Sequence, residues 1–290
     1  MLIARQIVVI IVSLINVGLF SGPDFAPETD AQATLDLPSI LKKTAEYCRK
    51  LESVTLDYIC REEIYEIIDP LLDVLKPFEM SQDWTRFAPG AGQPSRLRMS
   101  YLYDYQYIRE DRKIRERRTL LQENGIKKNE PNATLQTSSF IFGNALLTPV
   151  GLFAQRFQLL YDYTIAGQDK INRKPVLIVE IRPKPDAIEA PCAYGKAWID
   201  PITADVLKIE WRDKQVRNWE IFERRGRHFL RTPRLTMQSE FIGERNGIRF
   251  PSKLYIEEAY IDSRERVFIR TKTNVVYTDF NFFTVEWEVR

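Results

Sequence analysis

Histidine is nearly absent from this sequence: His228 is the only one in 290 residues. A Ser-His-Asp relay would have to be built on it, and nothing around ERRGRHFL supports one. Cysteine is scarce as well. Cys48, Cys60 and Cys192 show no CxxC spacing and leave too few soft ligands for zinc. The GxSxG, HExxH, GxxxxGK[ST] and GxGxxG patterns are all missing, so the usual hydrolase, zincin, P-loop and dinucleotide signatures are excluded, and no cofactor is expected. Excess charge of one sign is lacking too. With 42 basic and 40 acidic residues the net charge is +2, which gives no global electrostatic case for nucleic acid.

Long apolar runs are limited to one. Ile7–Phe20 is interrupted only by Ser13 and Asn16 among its polar residues, follows Arg5 and precedes Ser21, Gly22 and Pro23. A basic residue before a short apolar core is the pattern of an export signal, and the run is short for a membrane span. Leu19 or Phe20 would occupy a position where cleavage prefers a small residue. Residues 1–22 therefore read as a signal peptide or an uncleaved anchor, with a buried N-terminal helix as the alternative. Export places the chain in the periplasm or cell envelope. No cysteine follows the run, so the chain is not itself an acylated lipoprotein.

What the sequence has is alternation. In Gly195–Trp211, GKAWIDPITADVLKIEW, Ala197 and Ile199 oppose Lys196, Trp198 and Asp200. Leu207, Ile209 and Trp211 then oppose Lys208 and Glu210 across an Asp-Pro turn. Period-two alternation is what a half-buried strand needs, because successive side chains point to opposite faces. It places Trp211 with the apolar face and Trp198 on the outer one.

Residues 23–35 read as a linker, and residues 36–290 as a single β-rich domain with an irregular, proline-rich insertion at 69–95. A helix starts near Pro38, capped by Asp36 or Ser39, with Ile40, Leu41, Tyr47, Cys48 and Leu51 as its apolar stripe. Val54–Ile68 turns β-like, and Met99–Arg109 puts Tyr101, Tyr103, Tyr105 and Tyr107 on one face. Arg112–Gln122 pairs with it. Phe140–Leu160 carries Leu146, Val150, Phe153 and Phe157 at helical spacing. From Tyr161 onward nine strands are expected in series, among them Trp219–Arg224, with Asn246–Gly247 as a hairpin turn. The fold class is mainly β with a few helices, built on a curved antiparallel sheet.

The side chains leave several readings open. Cys48 on the helix and Cys60 on the following strand are spaced to form a disulfide in an oxidising compartment, or else are two buried thiols. Arg224, Arg225, Arg227 and Arg231 form a one-sided basic cluster, suited to anionic head groups or to a solvated hairpin. Glu62, Glu63, Glu180, Asp200, Glu210, Glu257 and Glu258 would serve a hydrolase only as a pair in one cleft; on a sheet they belong to its solvated face. Asn132-Ala133-Thr134 matches a glycosylation acceptor. Tyr101, Tyr103, Tyr105, Tyr107, Phe153, Phe157 and Trp211 line either a cavity for an apolar ligand or an ordinary core.

The segment G-K-A-W-I-D-P-x-T-x-x-V-L-K-I-E resembles a hairpin of the LolA-like superfamily, periplasmic lipoprotein carriers and their relatives. The element order and the ending VVYTDFNFF are similar to uncharacterised secreted bacterial relatives. The resemblance implies a half-barrel whose apolar concave side, covered by helices, holds a lipid or the acyl chains of a lipoprotein. The expected function is binding of such a ligand in the cell envelope, without catalysis. A membrane-anchored interaction module and an envelope hydrolase are the alternatives.

Overall fold

The computed structural model describes residues 36–72, 96–111, 113–138, 142–187, 194–212 and 219–283. The expected signal or anchor at 1–22, the linker at 23–35, most of the insertion at 69–95, and Cys192 lie outside these residues. Helix α1 (Leu37–Ser53) opens where the sequence places it: Asp36 caps the N-H of Ser39 at 3.3 Å, and proline occupies the first turn. Ile40, Thr44, Tyr47, Cys48 and Leu51 are its buried residues, spaced to form one face.

Eleven strands make one antiparallel sheet. The chain runs outward from the middle through β1 (Tyr58–Ile68), β2 (Leu97–Glu110), β3 (Lys113–Glu123) and the edge strand β4 (Ile126–Pro131). It then crosses to the opposite edge through a 3₁₀ turn at Ala145–Leu147 and helices α2 (Thr148–Phe153) and α3 (Gln155–Gln158). From there it returns through β5 (Tyr161–Ile171), β6 (Lys174–Pro183), β7 (Gly195–Ile199), β8 (Val206–Trp211), β9 (Thr232–Glu240), β12 (Lys253–Ile261) and β13 (Val267–Phe282). The last of these pairs with β1 and joins the two halves. Helix α4 (Trp219–Phe229) and the hairpin of β10 (Gly243–Arg245) and β11 (Ile248–Phe250) are inserted before β9 and β12 respectively. The curved, open, mainly β architecture is the one expected. Its inner face carries α1 and the crossing segment, together with one apolar cluster that runs from Ile40 to Tyr277.

Several expectations are corrected. Trp219–Arg224 is helical: Trp219, Phe222, Gly226 and Phe229 recur every three or four residues, with Glu220 in the first turn and Arg227 and His228 in the last. A Cβ at Gly226 would meet the Arg231 carbonyl at 2.7 Å, so glycine lets the chain fold back closely into β9. The arginine-rich stretch is thus no hairpin, and His228 is an exposed helical residue. The crossing segment breaks at Ala154, which is extended (ψ 139°), because Pro149 opens one short helix and Ala154 separates it from the next. Cys48 and Cys60 form no disulfide; both are buried thiols. The Cys48 thiol is turned toward the Pro149 carbonyl at 3.4 Å, and Cys60 lies opposite Tyr105 inside the sheet.

The hairpin at Gly195 is present, with a refinement. A register shift between Trp198 and Ile199 leaves Leu207 without a partner residue on β7, and it turns outward. Leu207 packs with Trp198 and Val176 in a separate outer cluster, while Ile209 and Trp211 face inward.

Candidate functional site: the inner face of the sheet

The tyrosine stripe is the centre of this face. Tyr101, Tyr103 and Tyr105 lie opposite Ile64, Glu62 and Cys60 of β1, and all four tyrosines are buried. Alternation puts them there because β2 presents one face to the helices and the other to solvent. Phe153 is buried above the sheet and stacks on Tyr163, ring centroids 5.8 Å apart. Trp211 is buried and donates its indole N-H to the Ser239 hydroxyl at 3.2 Å. Phe157 stands at the rim, half-buried, with the Arg156 guanidinium 4.6 Å above its ring. The seven aromatic candidates therefore belong to one continuous packing cluster, six inside it and Phe157 against it.

This apolar face also carries charges that alternation places inward with Tyr58, Cys60 and Ile64. Glu62 accepts from Arg118 Nε at 2.6 Å and Nη2 at 3.0 Å, and from the Tyr277 hydroxyl at 3.0 Å. Arg118 lies 4.5 Å over the Tyr105 ring, and Tyr105 donates to Glu116. Burial opposes the charge on Arg118, yet the hydrogen bonds and charge of Glu62 hold its pKa above the ordinary guanidinium value. Burial pushes the phenols of Tyr105 and Tyr277 well up.

Glu66 accepts from the Ser138 N-H and from the Thr273 hydroxyl at 2.8 Å. Glu258 receives Arg225 at 2.9 Å, Arg270 at 2.6 Å and the Tyr260 hydroxyl. Pairing with two guanidiniums offsets the cost of burying the Glu258 side chain. Among the described residues no cluster of three or more His, Cys, Asp or Glu side chains has the geometry of a metal site.

No family model matches this chain, and no curated protein matches it. Solved structures do resemble it. A LolA superfamily protein from Nitrosomonas europaea is 11% identical with a TM-score of 0.34, over 86% of this chain and 94% of that one. An outer membrane lipoprotein-sorting protein domain from Vibrio parahaemolyticus is 12% identical with a TM-score of 0.34, over 86% and 95%. A DUF1329 family protein from Desulfovibrio piger is 13% identical with a TM-score of 0.33, over 83% and 92%. These likenesses concern fold alone.

The arginine cluster is divided: Arg224, Arg225 and Arg227 lie on α4, and Arg231 lies in the turn that follows it. Arg225 is buried and tied to Glu258, so it offers nothing to a head group. Arg224 and Arg227 are exposed, and Arg231 lies 3.5 Å over the Phe268 ring. Of the carboxylates expected on the solvated face, Glu62 and Glu258 are the exceptions. Their signal was present: Glu62 and Glu66 share parity with Tyr58, Cys60 and Ile64, and Glu258 shares it with Leu254, Ile256 and Tyr260. Arg270 had none, because it is the extra residue of a β13 bulge opposite Glu258 and Ala259.

Proposed function

We propose that this chain is an exported, non-enzymatic protein of the cell envelope that binds a hydrophobic ligand, a lipid or the acyl chain of a lipoprotein, on the inner face of its sheet. The observation that carries this reading is the construction of the roof over the aromatic face. Its pieces are a three-residue turn and a six-residue helix, buried through Leu146, Val150, Leu152 and Phe153, and a four-residue helix with no buried residue. Helices this short have almost no stability of their own; they are held by packing on the surface below. An acyl chain can replace that packing with equivalent apolar contacts while the sheet stays intact. Tyr101–Tyr107, Phe153, Phe157 and Trp211 are the side chains we assign to it.

The test is native mass spectrometry of the purified full chain, with solvent extraction of what it carries and a titration with cis-parinaric acid. The reading predicts a stoichiometric lipid or saturable uptake of the fatty acid. A protein that is lipid-free and takes up none contradicts it.

A second reading, an interaction module without a ligand, is favoured by one feature. Every residue of edge strand β4 is exposed, so its outer backbone groups stand ready to pair with an added strand. Binding of an extended peptide to a chain that takes up no fatty acid would support it.

A further inference from the structure

We propose that the outer face of α1 is a docking surface for an anionic lipid bilayer. This inference rests on features outside the inner face and stands whether or not a ligand binds beneath the roof. While Ile40, Thr44, Tyr47, Cys48 and Leu51 hold α1 to the core, Lys42, Lys43, Arg49 and Lys50 are exposed on its far side. They are accompanied there by the acidic Glu46. Glu52, the next carboxylate along, is engaged by Arg156. The helix thus presents a basic ridge in a protein whose net charge is only +2.

Two exposed apolar side chains lie on segments bonded to this helix. Leu159 is 77% exposed and follows Gln158, whose amide donates to the Leu41 carbonyl at 2.9 Å. Ile202 is 79% exposed in the turn whose Ala204 carbonyl accepts from the Thr44 hydroxyl, on the buried face of α1, at 3.0 Å. Neither side chain contributes to the core. A groove of about 610 Å³ runs between α1 and α3, lined by Lys42, Arg49 and Arg156 with Glu46 and Glu52.

Basic side chains at the level of the phosphates, with apolar side chains that enter the acyl boundary beside them, are the composition of an interfacial helix. The partner this chemistry fits is a bilayer rich in anionic head groups, since charge attraction and apolar insertion act together there. Each basic residue held at such a surface favours the docked state by about fivefold.

The experiment uses the full chain carrying Leu159→Trp or Ile202→Trp as a reporter, mixed with vesicles of brominated phosphatidylcholine alone or together with phosphatidylglycerol. Quenching is read against the parent chain. Both reporters are expected to be quenched on the anionic vesicles and much less on the zwitterionic ones, with the difference removed by high salt. Replacing Lys42, Lys43, Arg49 and Lys50 by glutamate is expected to abolish quenching. The milder pair Lys42→Gln with Arg49→Gln, which leaves every buried contact of α1 in place, should weaken the docked state about 25-fold. Equal quenching on both vesicle types, quenching that survives charge removal in the milder pair, or no quenching of either reporter overturns the proposal.

Discussion

Arg118 and Glu62 meet face to face across the intervening strand β2, joined by two hydrogen bonds of 2.6 and 3.0 Å and nearly inaccessible to solvent. Removing one partner from a buried pair leaves an uncompensated charge, whereas replacing both by apolar side chains restores a plain core. Arg118→Ala is therefore expected to cost about 3–5 kcal/mol, while Arg118→Met combined with Glu62→Leu costs far less. Urea unfolding of the two variants checks this. Equal losses would show that shape, and not the unpaired charge, sets the cost.

The division of the arginine cluster gives a second prediction. Arg225→Ala strands Glu258 with one cation fewer and should cost about 3 kcal/mol. Arg227→Ala, on the exposed side of α4, should stay within about 0.5 kcal/mol of the parent. Thermal unfolding of both separates the buried role from the surface one.

Much of this was legible in the sequence. Alternation located the tyrosine stripe, the Gly195–Trp211 hairpin and the outward position of Trp198, since a sheet with one covered face writes its pleat into the sequence. The same parity marks Glu62, Glu66 and Glu258, but composition argues that carboxylates sit in water and masks the signal. Arg270 and Leu207 stay illegible because a bulge reverses parity at a point no side chain announces. Strand β4, IKKNEP, has no apolar face to show, and exists because β3 offers it an edge. Helix α4 was readable as a three-four repeat, hidden by its charge.

Gly195 tests the hairpin. A Cβ there would overlap the Glu210 carbonyl and lie 2.9 Å from the Trp211 Cα, both backbone atoms of the paired strand. Gly195→Ala should cost about 3 kcal/mol or prevent folding, because rigid backbone has to move. Gly125→Ala meets nothing within 4 Å, and only its positive φ of 79° opposes it, for about 1 kcal/mol. Chemical denaturation of the two ranks them.

The pH dependence is set at the alkaline end. Burial pushes the thiols of Cys48 and Cys60 and the phenols of Tyr58, Tyr105 and Tyr277 above their ordinary values. A group that ionises to an anion and whose pKa is raised by folding contributes stability that is intact below its unfolded pKa. That contribution falls as pH rises above it. The loss begins near pH 8.5 for thiols and near pH 10 for phenols, about 1.4 kcal/mol per group for each further pH unit. Tyrosinate absorbance and circular dichroism, followed together, should show a cooperative alkaline transition in which the buried tyrosines ionise only as the sheet unfolds. Tyrosines that titrate fully in the folded protein would contradict the burial.

The most direct test of the roof as the entry to a binding face is hydrogen exchange of the full chain with and without saturating cis-parinaric acid. The account predicts changed exchange at amides in Ala145–Leu147, Thr148–Phe153 and Gln155–Gln158, together with the strand that carries Tyr101–Tyr107. The central pairing of β1 with β13 should stay protected. Exchange in the roof that is indifferent to the bound fatty acid, or changes confined to the outer face of the sheet, would contradict it.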